Sequence, residues 1–183
     1  KERDIALSLV ENPIEGIVLC EPDPVTESDF RLAHSAQYTE GIFTGAPERA
    51  ADSNGLGPWS RELSTSILFS TGGVVNAVKQ ALATGANTGS LSSGLHHAKF
   101  NFGAGFCSAN GLVIGAKAAL NAGAQRVLIV DFDAHCGGGT AGLIKGVDGV
   151  EQIDVSVSSY DMYDGVGNAR LTMSCGATYL DDI

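Results

Sequence analysis

A run of large apolar residues that ends in acidic residues and a histidine most constrains how this chain folds. Residues 126–130 read Arg-Val-Leu-Ile-Val, and Asp131-Phe-Asp133-Ala-His135 follows directly. Four consecutive large apolar residues, two of them Val, predict a strand covered on both faces, which is typical of the core of a parallel sheet. Because ligands bind beyond the carboxyl ends of such strands, residues 131–140 are the first place to expect a site.

The rest of the chain alternates helical and strand patterns and predicts an α/β fold. We expect a long helix from about Ser60, a good N-cap, to about Thr84, with Gly85 closing it. A second helix is expected from about Ser108 to about Ala122. Further strands are expected at residues 16–20, 87–91 and 153–157. Helices that alternate with strands in this way favour a parallel sheet with helices on both faces.

The composition indicates a folded domain and argues against several classes of partner. Of the 183 residues, 44% are hydrophobic and 17% are charged, which suits one globular domain. The net charge of −10 argues against a nucleic-acid partner and against docking on an anionic membrane. The most apolar stretch, residues 104–124, is too polar to span a membrane and predicts a buried helix.

Two further sequence features bear on the compartment of the protein. No apolar run long enough for a signal peptide follows Lys1–Asp4, so we expect none. The four cysteines are scattered and show no Cys-x-x-Cys spacing, so we expect neither a zinc knuckle nor a disulfide framework. Both features favour a cytoplasmic protein with reduced thiols.

The segment after the apolar run carries the residue types of a metal site. Two carboxylates beside a buried strand are unfavourable unless a positive charge compensates them. Asp oxygens and His nitrogens are ordinary zinc ligands. In an extended segment, Asp131, Asp133 and His135 point to the same side, so all three can line one pocket. The alternative is a solvated pair of aspartates at a strand end, followed by an unrelated histidine.

Two more segments contain candidate catalytic or binding residues. Residues 94–98 read Gly-Leu-His-His-Ala, and the neutral imidazoles of His96 and His97 suit general base and acid chemistry. The alternative is a pair of packed or exposed loop histidines. A Gly-Ala-Gly-Phe-Cys loop precedes the second helix, where Gly105 lets the backbone approach a ligand and Phe106 can wall an apolar channel. The alternative for this loop is a helix entry with a core Phe.

Together these segments resemble the histone deacetylase family and its acetylpolyamine and acetoin-utilisation relatives. The family pattern has Gly-x-His-His-Ala, then Gly-Phe-Cys with an Asn shortly after, then an apolar strand that ends Asp-x-Asp-x-His. Here these are residues 94–98, 105–107 with Asn110, and 127–135, in the same order and spacing. The resemblance implies a three-layer α/β parallel sheet of the arginase/deacetylase type, incomplete at its C-terminal end, with residues 1–183 forming a single partial domain.

The resemblance also implies a catalytic metal centre and roles for the residues around it. It makes His96 the general base and His97 the second catalytic imidazole, with Asp131 hydrogen-bonded behind His96. It makes Asp133 and His135 ligands of one catalytic metal ion per site, with Zn²⁺, Fe²⁺ and Co²⁺ all suited to Asp and His ligation. The implied reaction removes an acyl group from an acetylated amine.

Further implied features concern the substrate, a second ion and partners. Gly105 and Phe106 would line the channel for a small-molecule or peptide substrate that carries an acetylated amine. Asp131, Asp133 and Ser156 would hold a structural K⁺ or Na⁺. The open edge of an incomplete sheet favours association, so a homo-oligomer is an expectation of the sequence.

The chain departs from the family pattern at several positions. The third metal ligand, an Asp on a later strand, and the Tyr or His that polarises the substrate carbonyl have no counterpart before Ile183. Cys136 stands where the family has a second His, Gly138 where it has the Asp or Asn that supports the second catalytic His, and Ser158 where it has a further His. The candidate replacements for the missing ligand, each more simply a solvated charge, are Asp161, Asp164, Asp181 and Asp182.

These departures leave two functions open. The chain is either a portion of a zinc-dependent deacetylase-like hydrolase or a degenerate relative with a binding or structural role. A dinuclear arginase-like site is less well supported, because Asp133-Ala-His135 continues to Gly137 and not to another Asp. A nucleotide site at residues 137–140 lacks both the Gly-Lys-Ser/Thr and the Gly-x-Gly-x-x-Gly patterns.

Overall fold

A three-stranded parallel sheet organises residues 2–93, 95–165 and 167–183, which the computed structural model describes. Gly94, the first residue of the His-His motif, lies outside them. The strands β1 (Val127–Asp131), β2 (Val150–Ser156) and β3 (Ala169–Met173) lie in that spatial order. The described helices are α1 (Glu2–Glu11), α2 (Glu27–Phe30), α3 (Ala36–Thr44), α4 (Glu48–Ala51), α5 (Arg61–Thr84), α6 (Gly111–Asn121), α7 (Gly138–Ile144) and α8 (Tyr179–Asp182).

The long predicted helix is confirmed as α5, with both of its expected ends. The hydroxyl of Ser60 accepts a backbone N–H of the first turn, and Gly85 ends the helix in the left-handed region with φ 68°. Gly72 lies in the middle of the helix despite its low helix propensity. A Cβ at this position would lie 2.0 Å from the carbonyl oxygen of Asp23, so the glycine allows the N-terminal segment to pack directly on α5. No helix that the structure describes is long and apolar enough to cross a bilayer.

Helices cover one face of the sheet, and on the opposite face the described part of β1 is exposed. Helices α6 and α7 pack against β1 and β2 on the face that carries Ile129 and Val150, which belong to the main hydrophobic core. On the opposite face, Leu128 is 54% exposed and Val130 is 48% exposed. The prediction that β1 is covered on both faces is therefore wrong for the described residues, because the helices that pack on the sheet lie on one side of it.

Other sequence predictions fail where a local pattern lacks a tertiary partner. Residues 16–20 and 87–91 form no strand, and Val18 is 82% exposed, because no neighbouring strand pairs with this apolar run. The second helix starts later than predicted, at Gly111, since the side chain of Asn110 accepts the N–H of Val113 and caps α6 there. Helix α7 and strand β3 were not predicted.

Candidate active site

A cleft of about 380 Å³ opens beyond the carboxyl end of β1. It brings together most of the candidate residues, although they come from three separate segments of the chain. Its lining includes His96, His97, Gly105, Asp131, Asp133 and His135. A second depression of about 470 Å³ lies around residues 146–151, at the opposite end of the strands, and none of the candidate residues line it.

The first imidazole of the cleft is paired with the last residue of β1. The Nδ1 atom of His96 lies 2.8 Å from Oδ2 of Asp131, and both side chains are largely buried. Burial lowers the pKa of His96, but the hydrogen bond to Asp131 and the charges of Asp131, Asp133 and Asp154 outweigh it and place this pKa above its usual value. The Nε2 atom points away from Asp131 and lies 3.6 Å from Oδ1 of Asp133.

The side chain of Asn110, the N-cap of α6, and the backbone of α7 hold the His-His segment in place. The amide group of Asn110 donates to the carbonyl oxygens of His96 and Ala98, at 3.4 Å and 3.3 Å. The backbone N–H of Thr140 donates to the same His96 oxygen at 3.0 Å. A Cβ at Gly139 would lie 2.4 Å from this oxygen, so α7 begins in direct contact with the segment.

The second imidazole is paired with a carboxylate from the loop after β2. The Nδ1 atom of His97 lies 3.0 Å from Oδ2 of Asp161. The interpretation of Asp161 as a solvated loop charge is wrong, because its side chain is only 13% exposed and contacts His97 and Lys99. Tyr160, which sequence reasoning missed, sets its ring edge-on to His97, with 4.9 Å between ring centres.

The two implied metal ligands lie side by side on the open side of the cleft. Oδ1 of Asp133 accepts the backbone N–H of His135 at 2.8 Å and lies 3.1 Å from its Nδ1 atom. Burial raises the pKa of Asp133, but that N–H and the charges of His96 and His135 outweigh it and hold this pKa below its usual value. Among residues 2–93, 95–165 and 167–183, no three His, Cys, Asp or Glu side chains are grouped to hold a metal ion. The described residues thus supply two neighbouring donors and no third.

Comparison with known proteins identifies the family. Residues 3–179 match the histone deacetylase domain family. The chain belongs to this family. The family match confirms the resemblance to histone deacetylases in sequence. Solved structures with the same fold confirm the predicted fold class.

Relatives of this histone deacetylase family chain match most of its length. A probable deacetylase of Archaeoglobus fulgidus is 28% identical over 159 residues, which are 84% of this chain and 42% of that protein. An HDAC homologue from Aquifex aeolicus has a TM-score of 0.79 at 21% identity, over 97% of this chain and 54% of that one. Acetylpolyamine aminohydrolase from Burkholderia pseudomallei has a TM-score of 0.76 at 18% identity, over 98% of this chain and 65% of that one.

The matches concern the fold and a part of the relatives' length. At 18–21% identity the two structural likenesses show the fold alone, a three-layer α/β arrangement that is incomplete here. The histone deacetylase family chain spans less than half the length of the first relatives that it matches in sequence.

Of the two residues expected to line the substrate channel, Gly105 lines the cleft and Phe106 does not. Gly105 lies in the cleft at φ 54°, and a Cβ there would lie 2.4 Å from Cδ2 of His97. A side chain at this position would therefore displace the imidazole. Phe106 lies outside the lining of the cleft and is 67% exposed at its rim, with φ 63° and its N–H bonded to the carbonyl of Asn54.

Behind the cleft lies a buried polar cluster that sequence reasoning only partly found. Ser156, an implied ligand of the monovalent ion, donates to the carbonyl oxygen of His135 at 3.1 Å and bonds the carboxyl of Asp154. Asp154 is fully buried and accepts the N–H of Gly137 at 2.7 Å, and burial raises its pKa. The thiol of Cys136 is directed away from the cleft, toward a backbone carbonyl of the following loop.

Proposed function

We propose that this chain carries the proton-transfer part of a metal-dependent deacetylase site that removes the acyl group of an acetylated amine. One observation supports this most directly. The rings of His96 and His97 lie 4.0 Å apart at the cleft, and each Nδ1 atom faces its own carboxylate, Asp131 or Asp161. Two imidazoles oriented in this way suit a reaction that takes a proton from water and gives one to a leaving amine.

The proton-transfer steps follow from the geometry of these pairs. Donation from Nδ1–H of His96 to Asp131 leaves the lone pair of Nε2 toward the cleft, where it accepts a proton from the attacking water. The carboxylate of Asp131 stabilises the imidazolium that forms. In this step His97 acts as an imidazolium: its Nδ1–H stays on Asp161 and its Nε2 proton passes to the departing amine nitrogen, after which the proton held by His96 replaces it.

The donors for a catalytic metal are incomplete within the described residues. Asp133 and His135 are of the types that Zn²⁺, Fe²⁺ and Co²⁺ accept. A catalytic zinc ion takes three protein ligands, so these two alone do not fit it, and we propose that a third donor comes from outside the described residues. Held by Asp133, His135 and that third donor, such a metal would supply Lewis-acid chemistry at the acyl carbonyl.

Charge and shape support an amine-bearing substrate. The exposed ring of Tyr160 packs edge-on to His97, and the exposed Phe106 follows Gly105 of the cleft lining, so an apolar stem can pass these rings while its acyl end reaches His97 and Asp133. The net charge of −10 favours approach of a cationic chain. We therefore propose acetyl-lysine peptides and acetylated polyamines as the substrate class.

The test combines hydrolysis with metal binding. Purified protein, supplied with Zn²⁺ or Co²⁺, is assayed for acetate release from an acetyl-lysine peptide and from N-acetylputrescine. We expect metal-dependent release that His96→Ala abolishes and that Asp164→Ala, a change at an exposed loop carboxylate, leaves intact. Release that is insensitive to His96→Ala would overturn the assignment of the base.

The second candidate function is a non-catalytic deacetylase-like role. It is favoured because the described residues supply only two candidate metal donors, Asp133 and His135. Gly138 and Ser158 also stand at positions where the family carries functional side chains. If the protein binds no Zn²⁺ even when Zn²⁺ is supplied in excess, and releases no acetate from either substrate, this role is supported and the hydrolase function is contradicted.

A further inference from the structure

The carboxylate that faces His97 comes from an unexpected place in the chain. The family resemblance places a supporting Asp or Asn at position 138, at the start of α7, where this chain has glycine. Asp161 belongs instead to the loop after β2, 64 residues from His97. Its Oδ2 atom nevertheless lies 3.0 Å from Nδ1 of His97, and the side chains are 13% and 5% exposed.

The space around Gly138 shows that the two positions depend on each other. A Cβ at Gly138 would lie 2.2 Å from the backbone oxygen of Asp161 and 2.7 Å from its Oδ1 atom. The loop after β2 therefore occupies the volume that a side chain at position 138 would need. A carboxylate at 161 and a side chain at 138 exclude each other unless the loop moves.

Three donors converge on the Asp161 carboxylate. His97 and the backbone N–H of Gly139, the latter at 3.0 Å, share Oδ2, and the ammonium of Lys99 contacts Oδ1. Burial raises the pKa of Asp161, but the hydrogen bonds from His97 and Lys99 and the charge of Lys99 outweigh it, so this pKa lies below its usual value. The backbone adopts φ 59°, a conformation that Asp tolerates better than most residues and that Gly adopts freely.

We infer that Asp161 is the positioning residue of His97 and replaces the carboxylate that Gly138 cannot supply. It accepts the Nδ1 proton and so leaves the lone pair of Nε2 facing the cleft. Lys99 and the N-terminal amide of Gly139 hold the carboxylate in place. The role of this tautomer in catalysis rests on the proposed function. The tautomer itself is inferred from the contact between His97 and Asp161 alone.

The experiment reads the tautomer of His97 directly. Long-range ¹H–¹⁵N NMR of the histidine-labelled chain, at slightly alkaline pH, distinguishes a proton on Nδ1 from one on Nε2, and His97→Gln identifies the signal. We expect the proton on Nδ1 in the parent chain. Asp161→Gly keeps the backbone conformation and should release the fixed tautomer, while Asp161→Asn keeps a carbonyl acceptor and should retain it.

Controls separate positioning from a structural role in the loop. Asp164→Gly alters the same loop away from His97 and should leave the tautomer unchanged. Gly138→Ala should displace the loop and produce the same loss as Asp161→Gly. If Asp161→Gly folds, as judged by circular dichroism, and still shows Nδ1–H on His97, the inference is overturned.

Kinetics add a readout that a purely structural residue would not give. With a metal-supplied protein, Asp161→Gly should lower kcat at least about tenfold with little change in KM, since a misoriented general acid loses part of the roughly 10²–10⁴-fold that such groups contribute, and Asp161→Asn should restore part of the loss. A KM effect alone would contradict the positioning role. If the protein hydrolyses no acetylated amine, the proposed function fails, and the NMR result still decides the inference.

Discussion

His96 and Asp131 are 35 residues apart in sequence, yet Nδ1 of the first lies 2.8 Å from Oδ2 of the second. The loop imidazole is held by the last residue of a strand, so its orientation is fixed by the sheet. Neither His96, the proposed base, nor Asp131, which holds its ring, is one of the proposed metal donors.

We therefore expect His96→Ala to retain bound metal and to lose turnover. The proposed metal donors are Asp133 and His135, and the alanine removes only the proposed proton acceptor. Because general bases typically contribute about 10²–10⁴-fold, kcat should fall by about that factor. Metal content is measured by atomic absorption after dialysis and turnover by acetate release. Loss of metal together with turnover would show that His96 belongs to the ligand set.

The converse change, Asp133→Ala, should abolish metal binding. It removes one of two adjacent donors, and even indirect partners of a metal site are worth about 10–100-fold in affinity. Binding is measured by Co²⁺ absorption titration, with Asp164→Ala as the control because this carboxylate is exposed outside the cleft. Equal affinity in Asp133→Ala and the parent chain would contradict the ligand assignment.

His34 should make the folded state sensitive to acid. Its Nδ1 atom bonds the carbonyl of Lys99 and its Nε2 atom accepts the N–H of Asn110, so the buried ring is neutral. Burial lowers its pKa from 6.5 to about 4. The unfolded chain therefore binds the proton more readily, and this contribution to stability is intact above pH 6.5 and is lost as pH falls toward 4.

Urea unfolding across this pH range tests the expectation for His34. The free energy of unfolding should fall by on the order of 3 kcal/mol between pH 6.5 and pH 4 because of this group. In His34→Gln, which cannot be protonated in this range, that part of the slope should disappear even if the variant is less stable throughout. An unchanged slope would assign the acid sensitivity to other groups.

Two glycines in helices should respond oppositely to alanine. Gly72→Ala gains helix propensity but places a methyl group 2.0 Å from the carbonyl oxygen of Asp23, so we expect a net loss of about 1–3 kcal/mol. Gly142→Ala, in α7, meets no atom within 4 Å and should gain up to about 1 kcal/mol. Thermal melts of both variants supply the comparison, and stabilisation by Gly72→Ala would mean that the N-terminal segment does not pack closely on α5.

The open face of β1 should bind an apolar dye. Leu128 and Val130 expose about half of their surface there. Leu128→Lys should reduce the fluorescence of bound anilinonaphthalene sulfonate, since the charge interrupts the apolar patch. Leu180→Lys, at a more exposed leucine in α8, serves as the control and should have a smaller effect.

Local signals in the sequence predicted much of the fold and most of the cleft. Ser60 and Gly85 mark the ends of α5 because capping depends on a few neighbouring residues. The strand β1 and its polar end were predictable because a continuous apolar run followed by acidic residues is a local pattern of the sequence. The same holds for His96 and His97, which family resemblance and order along the chain identified.

Features that depend on tertiary packing were missed. Asp161 supports His97 only because the loop after β2 folds over Gly138, and neither residue alone signals this. The sequence offered one clue: Gly138 lacks the carboxylate that the family pattern has at this position, and Asp161 supplies one in the loop after β2. The exposed side of β1 was also missed, since its residues have the apolar character of a buried strand.

The open face of β1 has a consequence for how the site is completed. Phe132, half exposed, continues the alternation of Leu128 and Val130 and immediately precedes Asp133. Any element that buries this face therefore lies beside Asp133 and His135, the proposed metal donors. If such an element carries the third donor, the metal site is completed only when the exposed face of β1 is buried. Hydrolytic activity would then depend on the same packing step that removes this apolar surface from water.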